Sequence, residues 1–143
     1  MASRDLMNNI HTVVALAPVV VSDGTAQKTV AIDTAGYESC TFVILTGTLA
    51  DVDATWSATL KSGSTSTQAS HTQCSANAII GTEALAGITF ADDVETKKIG
   101  YKGSDRWASL ELTNVVANTG AAPLAILAIL AHPKNRPTAN PPQ

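Results

Sequence analysis

Three histidines, two cysteines and a short acidic turn are the residues of this chain whose types could do chemistry. A serine or cysteine nucleophile needs a base held against it and a third group that orients the base. Serine is abundant, but no GxSxG elbow is present, and His11, His71 and His132 stand in three unrelated contexts: an N-terminal segment, a Ser/Thr-rich run and the position before Pro133. They read as surface or capping residues. No catalytic residue is assigned, and the chain is expected not to be an enzyme.

Cys40 and Cys74 lie in no CxxC and have no histidine at ligand spacing, so they allow one disulfide and no zinc framework; free, buried thiols are expected. Asp92, Asp93 and Glu95 could gather a hard cation, yet they lack the spacing of an oxygen-ligand loop and Lys97 and Lys98 follow at once. A solvated, charge-balanced turn is the expectation, with no metal and no cofactor. Trp56 and Trp107 could form a sugar platform; as isolated strand residues they read as core or interface anchors with the indole N–H paired.

These residues must be positioned by sheets. The chain has 143 residues, enough for one domain, and is 45% hydrophobic with only 15% charged residues. Thr and Val favour pleated surfaces, whereas a helical domain would spend more on Glu, Lys, Leu and Arg. A net charge of −3 leaves no basic stripe for a phosphate backbone, so nucleic acid is not an expected partner. The longest uninterrupted apolar run, residues 124–131, is far short of the roughly 20 residues that cross a bilayer and reads as a buried strand, so no membrane contact is expected.

The expected architecture is all-β, a single antiparallel β-sandwich or jelly-roll-like domain over residues 22–131, with an extended N-terminal arm (1–21) and a Pro-rich C-terminal tail (132–143). Asp23-Gly24 marks a turn into a strand at 28–33, with Val30 and Ile32 on one face. Residues 38–46 are apolar on both faces, as in a central or sandwiched strand. Residues 54–61 place Trp56, Ala58 and Leu60 together. The Ser/Thr run 62–75 fits either a long hairpin tip or a polar edge strand, and 76–87 either a short strand or a helical turn. Residues 96–102 and 106–113 read as a hairpin around Gly103, which is expected to supply a positive backbone angle.

Several segments resemble, in order along the chain, a family of small structural proteins of tailed phages and prophages. They are Ser3-Arg4-Asp5-Leu6 with Asn8-Asn9-Ile10, Gly36-Tyr37-Glu38-Ser39, Gly100-Tyr101-Lys102-Gly103 with Arg106-Trp107, and His132-Pro133-Lys134. The chain departs from that family where it carries the Ser/Thr run 62–75 in place of an Asp-rich turn, and Trp107 where Tyr is usual. The resemblance implies a virion protein assembled in the host cytoplasm, a capsid decoration (cement) protein that binds the major capsid protein, with homo-oligomerisation expected. A head-to-tail or tail component and a carbohydrate-binding module on the particle are the alternatives. The partner interface it implies is Ser3, Arg4, Asp5, Leu6, Asn8, Asn9, Ile10, Tyr37, Tyr101, Arg106, Trp107, His132 and Pro133.

Overall fold

The computed structural model describes residues 4–116 and 119–139. Its strands in chain order are β1 (Ile10–Val21), β2 (Gln27–Lys28), β3 (Ile32–Asp33), β4 (Tyr37–Thr46), β5 (Thr55–Gly63), β6 (Thr72–Gln73), β7 (Ile79–Ile80), β8 (Ile88–Thr89), β9 (Thr96–Tyr101), β10 (Trp107–Val116) and β11 (Ala122–Pro133), with a short helix α1 (Glu83–Ala86). They form two antiparallel sheets. The first has the order β1-β11-β4-β9-β7; the second runs β2-β10-β5-β6, with β3 also on β10 and β8 on β5.

Period-two alternation builds the core. β4 turns Cys40, Phe42 and Ile44 inward and β11 turns Leu124, Ile126, Ala128 and Leu130; they meet Trp56, Ala58 and Leu60 of β5 and Ala108, Leu110 and Leu112 of β10, all buried. The all-β sandwich is therefore the architecture of the chain.

Four local expectations are corrected. Residues 10–21, assigned above to the arm, are strand β1, paired with β11 from Ile10–Ala131 to Val21–Ala122. Pro18 does not break this strand, because β1 is a sheet edge and Pro18 falls in the irregular register between Leu16 and Val19. At the other end β11 continues through His132 and Pro133, so the tail begins at Lys134.

Residues 28–33 are not one strand. Thr29 is buried with its N–H donating to the Leu110 carbonyl (3.0 Å), and Val30 N–H donates to the Ala15 carbonyl of β1 (2.9 Å). The segment thus makes one bond to the first sheet between two pairings with β10 of the second, leaving Val30 exposed and Ile32 buried. β9 and β10 are not a hairpin either: β9 pairs with β4 and β7 in the first sheet and β10 with β5 in the second. Residues 102–106 form an arch between sheets. In the Ser/Thr run, β5 extends to Gly63 and β6 is a two-residue edge strand; residues 76–87 hold both a strand, β7, and a helix, α1, whose N-terminus is capped by Thr82.

The outward faces of the two sheets differ. The second shows Thr55, Ser57, Thr59 and Lys61 of β5 and Glu111 and Thr113 of β10, with Glu111 paired to Lys61 and, at 3.4 Å, to Lys28. The first shows Val43 and Leu45 of β4 and Ala125, Leu127 and Ile129 of β11.

Candidate functional site

Four segments far apart in sequence meet at one end of the sandwich. Near the N-terminus, Asp5 accepts from Asn8 N–H (3.1 Å) and from Asn8 Nδ2 (2.8 Å), while Asn9 Nδ2 donates to the Asp5 carbonyl. These bonds close a 3-10 turn over Met7–Asn9 that leaves Leu6 66% and Met7 64% exposed. The C-terminal segment ties to it: Thr138 N–H donates to the Asn8 carbonyl (3.2 Å) and Thr138 Oγ1 to the Ile10 carbonyl (2.5 Å). Lys134 N–H donates to the Gly36 carbonyl (2.9 Å), beside Tyr37, whose ring stacks on His11 with centroids 5.6 Å apart.

The fourth segment is the arch before β10. Thr34 binds the Arg106 carbonyl through its N–H (2.9 Å) and Oγ1 (2.8 Å). The Arg106 guanidinium forks onto Asp33, Nε to Oδ1 at 2.9 Å and Nη2 to Oδ2 at 2.6 Å, and lies 5.3 Å from the centre of the Trp107 ring. A cleft of about 340 Å³ opens among His11, Val13, Ile32, Asp33, Tyr37 and Trp107.

Most of the residues named from the resemblance therefore share one end of the molecule: Arg4, Asp5, Leu6, Asn8, Asn9, Ile10, Tyr37, Arg106, Trp107 and His132. Ser3 lies outside the described residues. Two others have a different role from the one expected. Tyr101 is buried (3% exposed) and its hydroxyl donates to the Asp105 carbonyl at 3.0 Å, so it holds the arch from inside. Pro133 is also buried, opposite Tyr37 at the end of β11. Arg106 is engaged within the chain by Asp33. Gly103 has no positive φ; a Cβ there would sit 2.5 Å from the Tyr101 ring, so close packing is what requires glycine.

No group of three or more side chains that could hold a metal ion appears among the described residues. The nearest to a dyad is His71 Nδ1 at 2.8 Å from Ser109 Oγ, both buried. Nε2 of His71 faces the Thr65 carbonyl at 2.9 Å, which makes it the donor and leaves Nδ1 to accept from Ser109. Instead of standing on the surface, this histidine fastens the Ser/Thr-rich loop over the second sheet; Gly63 makes room for it. The polar composition of the run hid that role. The acidic turn is likewise spent on structure: Asp93 accepts from Leu49 N–H (2.8 Å), and Asp92 accepts from Thr89 N–H (2.7 Å) and pairs with Lys97 (2.7 Å). Cys40 and Cys74 are free and buried, and burial pushes the Cys40 thiol up to about 12.

Six carboxylates, Asp5, Asp23, Asp33, Asp51, Asp92 and Glu111, are held below their ordinary values, and three of them, Asp33, Asp92 and Glu111, form ion pairs with a basic side chain. The Arg106 hydrogen bonds hold Asp33 below its ordinary 3.8; Lys61, chiefly, holds Glu111 below 4.5. Burial pushes Asp92 up, but hydrogen bonds from Lys97 and Thr89 outweigh it and leave it lowered. Folded values below unfolded ones mean stability that is fully present above the ordinary carboxylate range and lost as pH falls through the depressed values. The melting temperature should hold from pH 7 to about 5 and fall steeply below about 4, and Asp33→Asn should flatten that fall. Thermal melts across this range check it; an unchanged acid limb in Asp33→Asn would remove Asp33 from the account.

No protein-family model matches the chain, and no curated protein matches it in sequence. Among solved structures, the CBM22-1–GH10 modules of Clostridium thermocellum xylanase 10B, complexed with xylohexaose, align over 94% of this chain at 8% identity and a TM-score of 0.45. This chain spans 28% of that one. The EclA C-terminal domain, a sugar-binding protein, aligns over 90% of this chain and 82% of its own at 13% identity and a TM-score of 0.42. The N-terminal cellulose-binding domain of Cellulomonas fimi β-1,4-glucanase C aligns over 87% and 89% at 12% identity and a TM-score of 0.43. No residue role passes from these proteins to this chain.

Proposed function

We propose that the chain is a non-catalytic structural protein of a tailed-phage particle, a head decoration protein that binds the lattice of the major capsid protein. One observation carries the reading: segments bearing the family resemblance, scattered from residue 4 to residue 134, converge on one end of the sandwich. Leu6 and Met7 stand out there on a hydrogen-bonded turn, a small apolar anchor framed by polar groups. Many copies on a repeating coat gain from avidity what each contact lacks.

Incubation of the pure protein with undecorated capsids, with bound copies counted, tests this. Hundreds of copies per particle are expected, against about a dozen for a connector at a single vertex. A Leu6→Asp/Met7→Asp variant lies outside every strand, so it should melt like the wild type and lose capsid binding. Absence of binding by the wild type, or full binding by the folded variant, would overturn the proposal.

The cleft favours a second reading, a glycan-binding module on the particle surface. Tyr37, Trp107 and Asp33 all line it, the rings offering stacking faces and the carboxylate, held by Arg106, a hydrogen-bond acceptor. A glycan panel run on the same preparations separates the two: glycan binding lost in Trp107→Ala, with capsid binding absent, would select this reading.

A further inference from the structure

We propose that the outer face of the first sheet packs against the same face of a second copy of this chain, giving a two-fold dimer of stacked sheets. The inference is independent of the virion reading and concerns a different surface, the broad face of the sheet rather than its strand ends.

The strand registers align this face in rows. Val14, Leu127, Val43 and Lys98 form one row across β1, β11, β4 and β9. Thr12, Ile129, Thr41 and Gly100 form the next, extended by Ile80 of β7. On the other side lie Ala125 with Leu45, then Val20 with Pro123. Lys98 is the single charged residue in these rows. Val14 is 60% exposed, Val20 62%, Leu45 40% and Ile80 54%.

A strand with one solvated face alternates apolar and polar residues, as β5 and β10 do. β4 and β11 carry apolar residues on both faces, the pattern of strands covered on two sides, but among the described residues only their inner side is covered by another layer. Water contact with a contiguous apolar surface of this kind is the signature of an interaction site.

Its dimensions fit a second copy. Four strands spaced at about 4.8 Å and about ten residues long at about 3.3 Å per residue give a footprint on the order of 600 Å². Burying it on both copies removes on the order of 1,200 Å², the lower bound of specific, stable interfaces. A twisted antiparallel sheet is matched in curvature by another with the same twist, since two such sheets stack aligned about 10 Å apart. The rows hold no cluster of charge that would call for a partner of opposite sign, and a nearly uncharged face tolerates its own image across a two-fold axis.

Sedimentation of the full chain over a range of concentrations tests the dimer. The wild type should sediment as a dimer that dissociates on dilution. Val14→Lys and Leu45→Lys, each at an exposed residue of the outer face, should keep the wild-type near-ultraviolet dichroism. Each places two facing charges in the dimer and should weaken its dissociation constant by roughly tenfold or more. Thr59→Lys, on the outer face of the second sheet, should leave it unchanged. A wild type that stays monomeric at every concentration, a different stoichiometry, or a dimer that survives both substitutions would overturn the inference. None of these results bears on capsid binding through Leu6 and Met7, which the capsid assay reads separately.

Discussion

Trp56→Ala should lower the free energy of unfolding by about 3–5 kcal/mol, the range for deleting a large aromatic side chain from a packed interior. Trp56 is 1% exposed on the inner face of β5, level with Asn114 of β10, and its ring is among the largest fully buried side chains. Total stabilities of small domains are about 5–15 kcal/mol, so the variant stands near the limit of folding. Contrary to the sequence expectation, the indole N–H has no hydrogen-bond partner among the described residues. Trp107→Ala should behave differently, because Trp107 is only half-buried at the rim of the cleft and its loss opens no interior cavity. Urea unfolding of the two variants side by side measures the contrast. Equal losses for both would remove the division between a core tryptophan and a surface one.

Gly103→Val should be the other strongly destabilising change, at about 1–3 kcal/mol. A Cβ at residue 103 would come within 2.5 Å of the Tyr101 ring, and that ring cannot swing away cheaply, being buried and tied through its hydroxyl to the Asp105 carbonyl. The substitution sets the side chain against the bond that holds the arch between the sheets. A double-mutant cycle separates this from a backbone effect. In a Tyr101→Ala background the added cost of Gly103→Val should nearly vanish; if the full cost persisted, the glycine would be needed for its backbone conformation and the packing account would fail.

The inner faces of β4, β5, β10 and β11 are legible in the sequence because each alternates cleanly, and a period of two has one structural meaning. What the alternation leaves open is partnership. Residues 102–106 have the length and glycine content of a hairpin turn, and an arch between sheets needs the same; only the strand pairings, β9 with β4 and β10 with β5, distinguish them. The stretch 28–33 failed for a related reason, since Thr29 serves one sheet and Val30 the other, which no single-strand pattern describes. Residues 1–21 read as an arm because 3–11 lack a sustained period, and the edge position that tolerates Pro18 in β1 is a property of the sheet order. The end cluster is not legible in any pattern: residues 5, 37, 106 and 132 share no period, and their meeting depends on β1 and β11 lying side by side. His71 was illegible, as a lone imidazole in a polar run carries no mark of burial.

The place of β11 between β1 and β4 also sets a schedule. Of the described strands β1 is made first, and its neighbour in the sheet is made after all the others. Until that final strand emerges, β1 and one side of β4 present unpaired backbone, the kind of edge that recruits other chains. Pairings so distant in sequence also close slowly. The nascent protein therefore cannot complete its first sheet before β11 is made, and a chain cut short before residue 122 would lack not a tail but the centre of a sheet.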